Sequence, residues 1–149
     1  MPRKTAPAQE ELGKPCQFCA IIAGQLSAHV VFEDDISIAF LDHRPLFPGH
    51  CLLVTRHHYA TLLDIPELLI GPLFSNVQLL AGTVQRVMQA DGTFIGANNV
   101  VSQSVPHFHV HIVPRRRGDG LRGFFWPRRK MTDEELKLVQ KSLVDALRK

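Results

Sequence analysis

The sequence predicts an α+β protein with an antiparallel sheet, and the order of its apolar segments supports this prediction. Segments rich in β-forming residues follow one another closely at 30–32, 36–41 and 51–55, separated only by short turn-forming stretches. This spacing is typical of an antiparallel meander. Further β-forming segments at 93–98 and 107–114 flank a helical pattern instead of alternating strictly with helices, which favours α+β over a parallel α/β fold.

Three helices are predicted from periodicity and capping residues. Residues 16–23 are expected to form one or two helical turns closed by a glycine. From Leu73 to Val87, apolar residues recur at steps of three and four, and Pro72 is expected in the first turn of this helix, with Asp91-Gly92 at its end. The segment Thr132-Asp-Glu-Glu135 is a capping box, which predicts a C-terminal helix over residues 132–148.

Length and composition indicate one ordinary soluble domain. The 149 residues are 45% hydrophobic and 21% charged, with a net charge of +3. Residues 1–14 have no apolar period and are expected to form a mobile tail, which leaves a domain at residues 15–149 with a basic loop at 115–130. No apolar run approaches the roughly 20 residues of a membrane span, and the start has no signal-like apolar core, so a cytoplasmic protein is expected.

Three histidines alternate along the last β-forming segment. Because side chains alternate across a strand, His107, His109 and His111 are expected to share one face while Phe108 and Val110 point to the core. Three aligned imidazoles indicate a metal site or a catalytic site.

The Cys16-x-x-Cys19 pair offers half of a Cys2His2 zinc site, which one or two histidines would complete. A pair of buried thiols and a redox pair are the alternatives. No thioredoxin-like strand and helix lead into the pair, which disfavours the redox interpretation. The histidine strand lacks carboxylates, so a hard-cation site is also disfavoured.

The residues from Gln103 through the three histidines to Arg115 resemble the signature of the histidine triad (HIT) family of nucleotide hydrolases and transferases. The resemblance continues upstream through 16–24, 39–42 and 48–58, covers about residues 16–127 in matching order, and points to the zinc-bearing branch with an N-terminal CxxC. It implies a HIT-like α+β domain with a five-stranded antiparallel sheet and helices packed on it, assembled as a homodimer.

The resemblance also implies roles for individual residues. His109 matches the nucleophile that attacks the α-phosphorus and becomes nucleotidylated, and His111 matches a donor to the phosphate oxygens. Gln103 and Ser104 match contacts to the phosphate and the leaving group, and Asp42 matches the carboxylate that binds the ribose hydroxyls. The apolar walls of the base pocket are matched by Phe18, Ile21 and Phe40. A polar contact near the ribose and phosphate is matched by either Asn98 or Asn99.

A structural zinc ion is implied as well, with Cys16, Cys19, His58 and His107 as its ligands. His57 precedes His58, so the identity of the fourth ligand stays open between these two neighbours. The chain also departs from the family pattern at two further places. The loop 98–103 reads Asn-Asn-Val-Val-Ser-Gln where glycines are common, and His43 stands where many members have an apolar residue.

The expected function is hydrolysis at the α-phosphate of a purine nucleotide conjugate, with adenosine the favoured base, such as a nucleoside phosphoramidate or a dinucleoside polyphosphate. The alternative is a nucleotide-binding regulatory protein with incidental turnover. A zinc-organised RNA-binding module using the basic loop is a third possibility, disfavoured because the predicted strands carry no stacked aromatic residues. The expected partners are therefore an AMP- or GMP-containing small molecule and a second copy of the chain, without a membrane or nucleic acid.

Overall fold

The computed structural model describes residues 15–121 and 128–148. These residues fall into two compact units, one ending at Arg117 and the other beginning at Gly118. The tail expected at 1–14 lies outside the described residues, and so do residues 122–127 of the basic loop. The assignment of 15–149 to one domain stays a prediction.

The first unit is built on a five-stranded antiparallel sheet. Its strands lie in the order β1-β2-β3-β5-β4, and every neighbouring pair is antiparallel, which confirms the predicted fold class. In chain order the elements are α1 (Gln17–Ile22), β1 (Val30–Glu33), β2 (Ser37–Leu41), β3 (Cys51–Thr55), a 3-10 turn (Leu62–Asp64), α2 (Glu67–Val87), β4 (Gly92–Gly96) and β5 (His109–Arg115).

Strands β2 and β3 lie inside the sheet and are buried on both of its faces. Along β2 and β3 alternate side chains enter two separate apolar clusters, so these strands are apolar almost throughout instead of alternating with polar residues. One cluster holds α2 against Ala39, Leu53 and Val110. The other holds Phe18 of α1 against Phe40 and its neighbours. The site described below lies on the α1 face.

Helix α2 begins earlier in the chain than its apolar period predicted, and it also ends earlier. It begins at Glu67, so the expectation that Pro72 lies in the first turn was wrong. Proline at this position lacks the N–H that would bond the carbonyl four residues earlier, and the burial of Leu73 and later residues against the sheet outweighs that loss. The helix ends at Val87 and not at Asp91, because Gln89 takes a left-handed φ of 52°.

Among the described residues, α2 is the one helix whose length and composition would be sufficient for a membrane span. Its buried residues nevertheless pack in the cluster that includes Leu53 and Val110. This is the arrangement of a core helix. The residues buried in it are Leu73, Val77, Leu80 and Val84.

Strand β5 begins at His109, so the prediction of a strand from residue 107 was wrong by two residues. The backbone N–H of Phe108 donates to the carbonyl of Tyr59 at 2.6 Å instead of joining the sheet ladder. The predicted alternation holds, because Phe108, Val110 and Ile112 are all 1% exposed or less and lie in the core beside α2.

The second unit contains α3 (Asp133–Leu147), in the segment where the sequence predicts a helix over residues 132–148. Its capping box forms as predicted: the Glu135 N–H donates to the Thr132 hydroxyl at 3.2 Å, and the Thr132 N–H donates to the Glu135 carboxylate at 2.7 Å.

Candidate functional site

Two of the three histidines lie on the face of β5 that carries α1. His109 pairs with Val54 and His111 pairs with Leu52 across the β3–β5 ladder, and directly paired residues point to the same side of a sheet. Leu52 and Val54 belong to the Phe18 cluster. The expectation that the histidines share a face is thus met by His109 and His111 within the strand, and His107 precedes it.

A cavity of about 530 Å³ opens on this face between α1, the sheet and the loop before β5. Its volume lies in the range of small-molecule sites. Its walls are mostly apolar, and Asp42, His109 and His111 are among the polar residues that line it. Seven residues proposed from the sequence line it: Phe18, Ile21, Phe40, Asp42, Ser104, His109 and His111.

The His109 ring is fixed by its own backbone neighbourhood. Its Nδ1 lies 2.7 Å from the carbonyl oxygen of His107, so in the neutral ring Nδ1 carries the hydrogen and donates it. The lone pair is then on Nε2. Phe18 packs edge-on against the ring, with centroids 5.0 Å apart. Burial lowers the pKa of His109 below its ordinary value, so the ring is neutral near pH 7.

His50, which the sequence assignment omitted, completes a chain of hydrogen bonds to His111. The Leu46 N–H donates to His50 Nδ1 at 3.1 Å, which leaves the His50 hydrogen on Nε2. His50 Nε2 lies 3.0 Å from His111 Nδ1 and donates to it. The His111 hydrogen is therefore on Nε2. This assignment of tautomers follows from the hydrogen-bond partners.

The sequence around His50 indicates a turn, although it does not indicate the contact with His111. His50 follows Pro48-Gly49 immediately before β3, and Gly49 has a φ of +95°, a conformation that favours glycine. A Cβ on Gly49 would also lie 2.6 Å from the Met88 side chain. The turn thus places the buried His50 at the start of β3, and β3 pairs with β5, the strand that carries His109 and His111.

Asp42 lies beside this chain. Its Oδ1 accepts the Arg44 N–H at 2.9 Å, and its Oδ2 is 3.6 Å from His50 Nε2. Burial, partly offset by this carboxylate, lowers the pKa of His50. Burial and the neighbouring His109 and His50 lower the pKa of His111 to about 4. Both imidazoles are therefore neutral at pH 7, as the hydrogen-bond chain requires.

The two cysteines converge with two histidines next to the cavity. One ligand atom from each of Cys16, Cys19, His58 and His107 lies within 4.8 Å of all the others. The Sγ–Nδ1 distances are 3.4 Å for Cys16–His107, 3.3 Å for Cys19–His58 and 3.6 Å for Cys19–His107. A zinc tetrahedron with ordinary bond lengths has sulfur–nitrogen edges of roughly 3.5 Å, so the donor set fits zinc.

His107 is oriented as a metal ligand would be. Its Nε2 hydrogen donates to the Thr55 carbonyl at 2.6 Å, which leaves the Nδ1 lone pair facing the sulfurs. Burial, followed by the neighbouring histidines, lowers its pKa to about 4. Burial and Cys16 raise the pKa of the Cys19 thiol to about 11, so metal binding there must displace a proton. The His57 ring packs instead against Tyr59 at 4.8 Å and is not part of the group.

Asp42, His50 and His111 also bring ligand atoms within 4.8 Å of one another. A metal ion between them would have to replace the hydrogen on His50 Nε2. His50 Nδ1 already accepts the Leu46 N–H, so the ring would lose that bond or become anionic. The geometry therefore favours a hydrogen-bond chain at this second group.

The loop before β5 holds three of the sequence-proposed residues away from the cavity lining. Asn99 Oδ1 accepts the Leu62 N–H at 3.0 Å, and Asn98 donates to the Ser102 carbonyl at 3.1 Å. The Gln103 side chain donates to the Ala60 carbonyl at 2.6 Å. All three amides thus brace the loop, and none is among the described residues that line the cavity.

Val100 and Ser102 of this loop have φ values of 67° and 61°, left-handed conformations at positions without glycine. The unusual loop sequence therefore retains a glycine-like backbone. His43, the other departure, lines the mouth of the cavity with its side chain 85% exposed and 3.9 Å from Asp42.

The fold and the site together define a class of small α+β proteins with histidine-based sites. In this class a histidine strand faces a cavity, and a cysteine–histidine group lies beside it. A family model described as the HIT domain matches residues 23–118, and the chain belongs to this family.

Characterised relatives and solved structures extend this similarity. The chain is 31% identical to the adenylylsulfatase HINT3 of Arabidopsis thaliana over 93% of this chain and 70% of that protein. It is 30% identical to the adenosine 5′-monophosphoramidase HNT1 of Saccharomyces cerevisiae over 97% of this chain and 89% of that protein. A zinc-bound histidine triad family protein from Mycobacterium smegmatis superposes with a TM-score of 0.68 at 33% identity, covering 88% of this chain and 96% of that one.

Proposed function

We propose that this protein hydrolyses purine nucleotide conjugates at the α-phosphate through a nucleotidyl-histidine on His109. The hydrogen bond from His109 Nδ1 to the His107 carbonyl is the observation that supports this most, because it leaves a nucleophilic Nε2 on a ring that lines the cavity. The relatives named as an adenylylsulfatase and an adenosine 5′-monophosphoramidase support adenosine as the base.

In the first step, the Nε2 lone pair of His109 attacks the α-phosphorus, and the bond from phosphorus to the leaving group breaks. The leaving group departs with the electron pair of that bond, and an amine leaving group also takes up a proton from solvent. The His111 Nε2–H donates to a phosphate oxygen, and the hydrogen bond from His50 keeps that hydrogen on Nε2. The donors are already oriented before reaction, which is the arrangement that stabilises developing charge most effectively.

In the second step, water attacks the same phosphorus and the nitrogen–phosphorus bond breaks. The electron pair of that bond returns to His109 Nε2, and the products are a nucleoside monophosphate and a proton. Because burial keeps the His109 ring neutral, the free ring is regenerated ready for another turnover.

Substrate binding is proposed for other residues that line the cavity. Phe18, Ile21 and Phe40 are proposed to hold the base through apolar contact, and Asp42 is proposed to accept the ribose hydroxyls. Ser104, which also lines the cavity, is proposed to contact the phosphate or leaving group. Gln103 and the two asparagines, Asn98 and Asn99, are proposed to act by bracing the loop that carries Ser104.

Zinc is proposed at Cys16, Cys19, His58 and His107. With four protein ligands the site is closed, so the metal would supply structural cross-linking between α1 and the segments that carry the two histidines.

A homodimer in the cytoplasm is also proposed. Exposed apolar side chains on α2 and β4, including Leu79, Val87 and Ile95, support an interface with a second copy. All three cysteines are free, which suits a reducing compartment. Light scattering coupled to size-exclusion chromatography tests the dimer directly.

The hydrolase proposal is tested with adenosine and guanosine phosphoramidates, adenylylsulfate and dinucleoside polyphosphates, each reacted in ¹⁸O-labelled water. We expect release of the nucleoside monophosphate carrying one ¹⁸O atom, because water attacks the α-phosphorus. Tight binding of AMP without turnover of any of these compounds would instead support a regulatory nucleotide-binding protein. Label found only in the other product would contradict attack at the α-phosphate.

A further inference from the structure

Phe18 lies inside the Cys16-x-x-Cys19 turn and lines the cavity. Its side chain is 6% exposed and belongs to the cluster on the cavity face of the sheet. Its ring centroid lies 5.4 Å from Phe40, 5.9 Å from His107 and 5.0 Å from His109. One aromatic side chain thus touches a proposed metal ligand, the proposed nucleophile and the opposite wall of the cavity.

His107 makes a second connection between the two sites. Its ring faces the two cysteines through Nδ1, while its backbone carbonyl accepts the hydrogen bond from His109 Nδ1. A shift of the His107 backbone would therefore move the carbonyl that orients His109.

Helix α1, which carries Phe18, is only six residues long. A helix of this length is not stable by itself in water, so its position depends on what fastens it to the sheet. Two sets of contacts hold α1 against the sheet. One is the apolar packing of Phe18, Ile21 and Ile22, and the other is the four-residue cysteine–histidine group. A metal bound by this group would cross-link the beginning of α1 to His58 and His107.

We propose that metal occupancy of the Cys16–Cys19–His58–His107 group controls nucleotide affinity, and that Phe18 is the positioning residue that couples the two sites. Metal binding fixes α1, which sets the Phe18 ring against Phe40 and His109 and completes the base wall. By thermodynamic linkage, a nucleotide must then raise metal affinity by the same factor as the metal raises nucleotide affinity. This inference rests on the proposed metal site and nucleotide function, and it adds a dependence of one upon the other.

The test measures both directions of the linkage on the full chain. AMP affinity is determined by calorimetry on zinc-loaded and chelator-treated protein, and zinc affinity is determined by chelator competition with and without AMP. We expect both affinities to change by about tenfold, within the common range of coupling between sites. Equal AMP affinities with and without zinc, when both ligands bind, would overturn the coupling while leaving the proposed function intact. Absence of zinc binding would overturn the coupling and the metal proposal together.

Variants on α1 separate coupling by Phe18 from general stabilisation. In Phe18→Leu, we expect the coupling to fall to about twofold, whatever the change in AMP affinity or zinc affinity measured alone. Ile22→Val is the matched control, because Ile22 packs in the same cluster but does not line the cavity. Coupling that persists in Phe18→Leu, or that Ile22→Val abolishes equally, would contradict the role of Phe18.

A spectroscopic measurement covers the case in which zinc-free protein unfolds. Co²⁺ in a thiolate–imidazole site absorbs visible light, and its bands respond to changes in ligand geometry. Adding AMP to the cobalt-loaded protein should shift these bands in the wild type and in Ile22→Val, but not in Phe18→Leu. An unchanged wild-type spectrum at saturating AMP would overturn the proposal.

Discussion

His109 Nδ1 lies 2.7 Å from the backbone oxygen of His107, so one histidine holds the ring of the next through its main chain. Since a side-chain substitution at position 107 keeps that carbonyl, the orientation of His109 depends on where the backbone of His107 is held. Three hydrogen bonds hold it: the His107 ring donates to the Thr55 carbonyl, the His107 N–H donates to the Val105 carbonyl, and the Phe108 N–H donates to the Tyr59 carbonyl. The start of β5 is thereby fixed from both sides.

Replacing His109 with alanine is expected to remove turnover by several orders of magnitude, because the whole covalent route is lost. AMP affinity should change by no more than about 1 kcal/mol, the value of an ordinary hydrogen bond. Rapid quench with substrate labelled at the α-phosphate should show acid-labile, base-stable label on the wild type. His57→Ala, an exposed histidine outside the cavity, is the control and should label normally. Equal labelling of His109→Ala would exclude His109 as the nucleophile.

His50 is expected to act through the tautomer of His111. His50→Leu removes the donor to His111 Nδ1, and we expect kcat to fall by roughly 10–100-fold, as for other residues that orient a catalytic group. His50→Gln keeps an N–H donor of similar reach and should recover much of that loss, whereas a merely space-filling role would predict that leucine serves as well. In His111→Ala the effect of His50→Leu should largely disappear, because the two residues act as a unit.

The sequence predicted the part of the site that follows strand periodicity, and missed the part that depends on three-dimensional pairing. The common face of His109 and His111 follows from alternation along one strand. His50 reaches His111 only because β3 pairs with β5, a contact across 61 residues that no local pattern encodes. Likewise His107 was assigned to the strand, since periodicity does not reveal that the Phe108 amide bonds to Tyr59 instead.

Acid is expected to destabilise the folded protein through His50 and His111. Burial lowers the pKa of both, that of His111 to about 4, whereas an unfolded histidine titrates near 6.5. The unfolded chain therefore binds more protons below about pH 6.5, so stability is retained above that pH and lost as the pH falls toward about 4. Urea denaturation at several pH values should show this slope, and His50→Gln/His111→Gln should have a shallower one. An identical slope in the double variant would contradict the prediction.

Metal content is expected to depend on Cys16 and Cys19 but not on Cys51. Elemental analysis of protein purified under reducing conditions without chelator should give about one zinc per chain, because the four ligands form one closed site. Cys16→Ala/Cys19→Ala should lose both the metal and thermal stability, since structural zinc binding is coupled to folding. Cys51→Ala removes a buried thiol outside the group and should keep the zinc. Zinc-free wild-type protein would disprove the assignment.

Val100 is expected to be a strained position in the loop before β5. Its φ of 67° lies in the left-handed region, which costs a residue with a Cβ roughly 1–2 kcal/mol and is least suited to a β-branched side chain. Its side chain is 75% exposed, so truncation sacrifices little packing. Val100→Gly should therefore raise the free energy of unfolding by up to about 1 kcal/mol, after the greater entropy of unfolded glycine is counted.

The neighbouring Val101 provides the matched control, because it is 78% exposed and is not among the described residues with positive φ. Val101→Gly gains no relief of strain and should lower the free energy of unfolding by roughly 0.5–1 kcal/mol through unfolded-state entropy alone. The two adjacent substitutions are thus expected to have opposite signs in urea denaturation monitored by circular dichroism. Destabilisation of similar size in both variants would show that the left-handed backbone at Val100 is not strained.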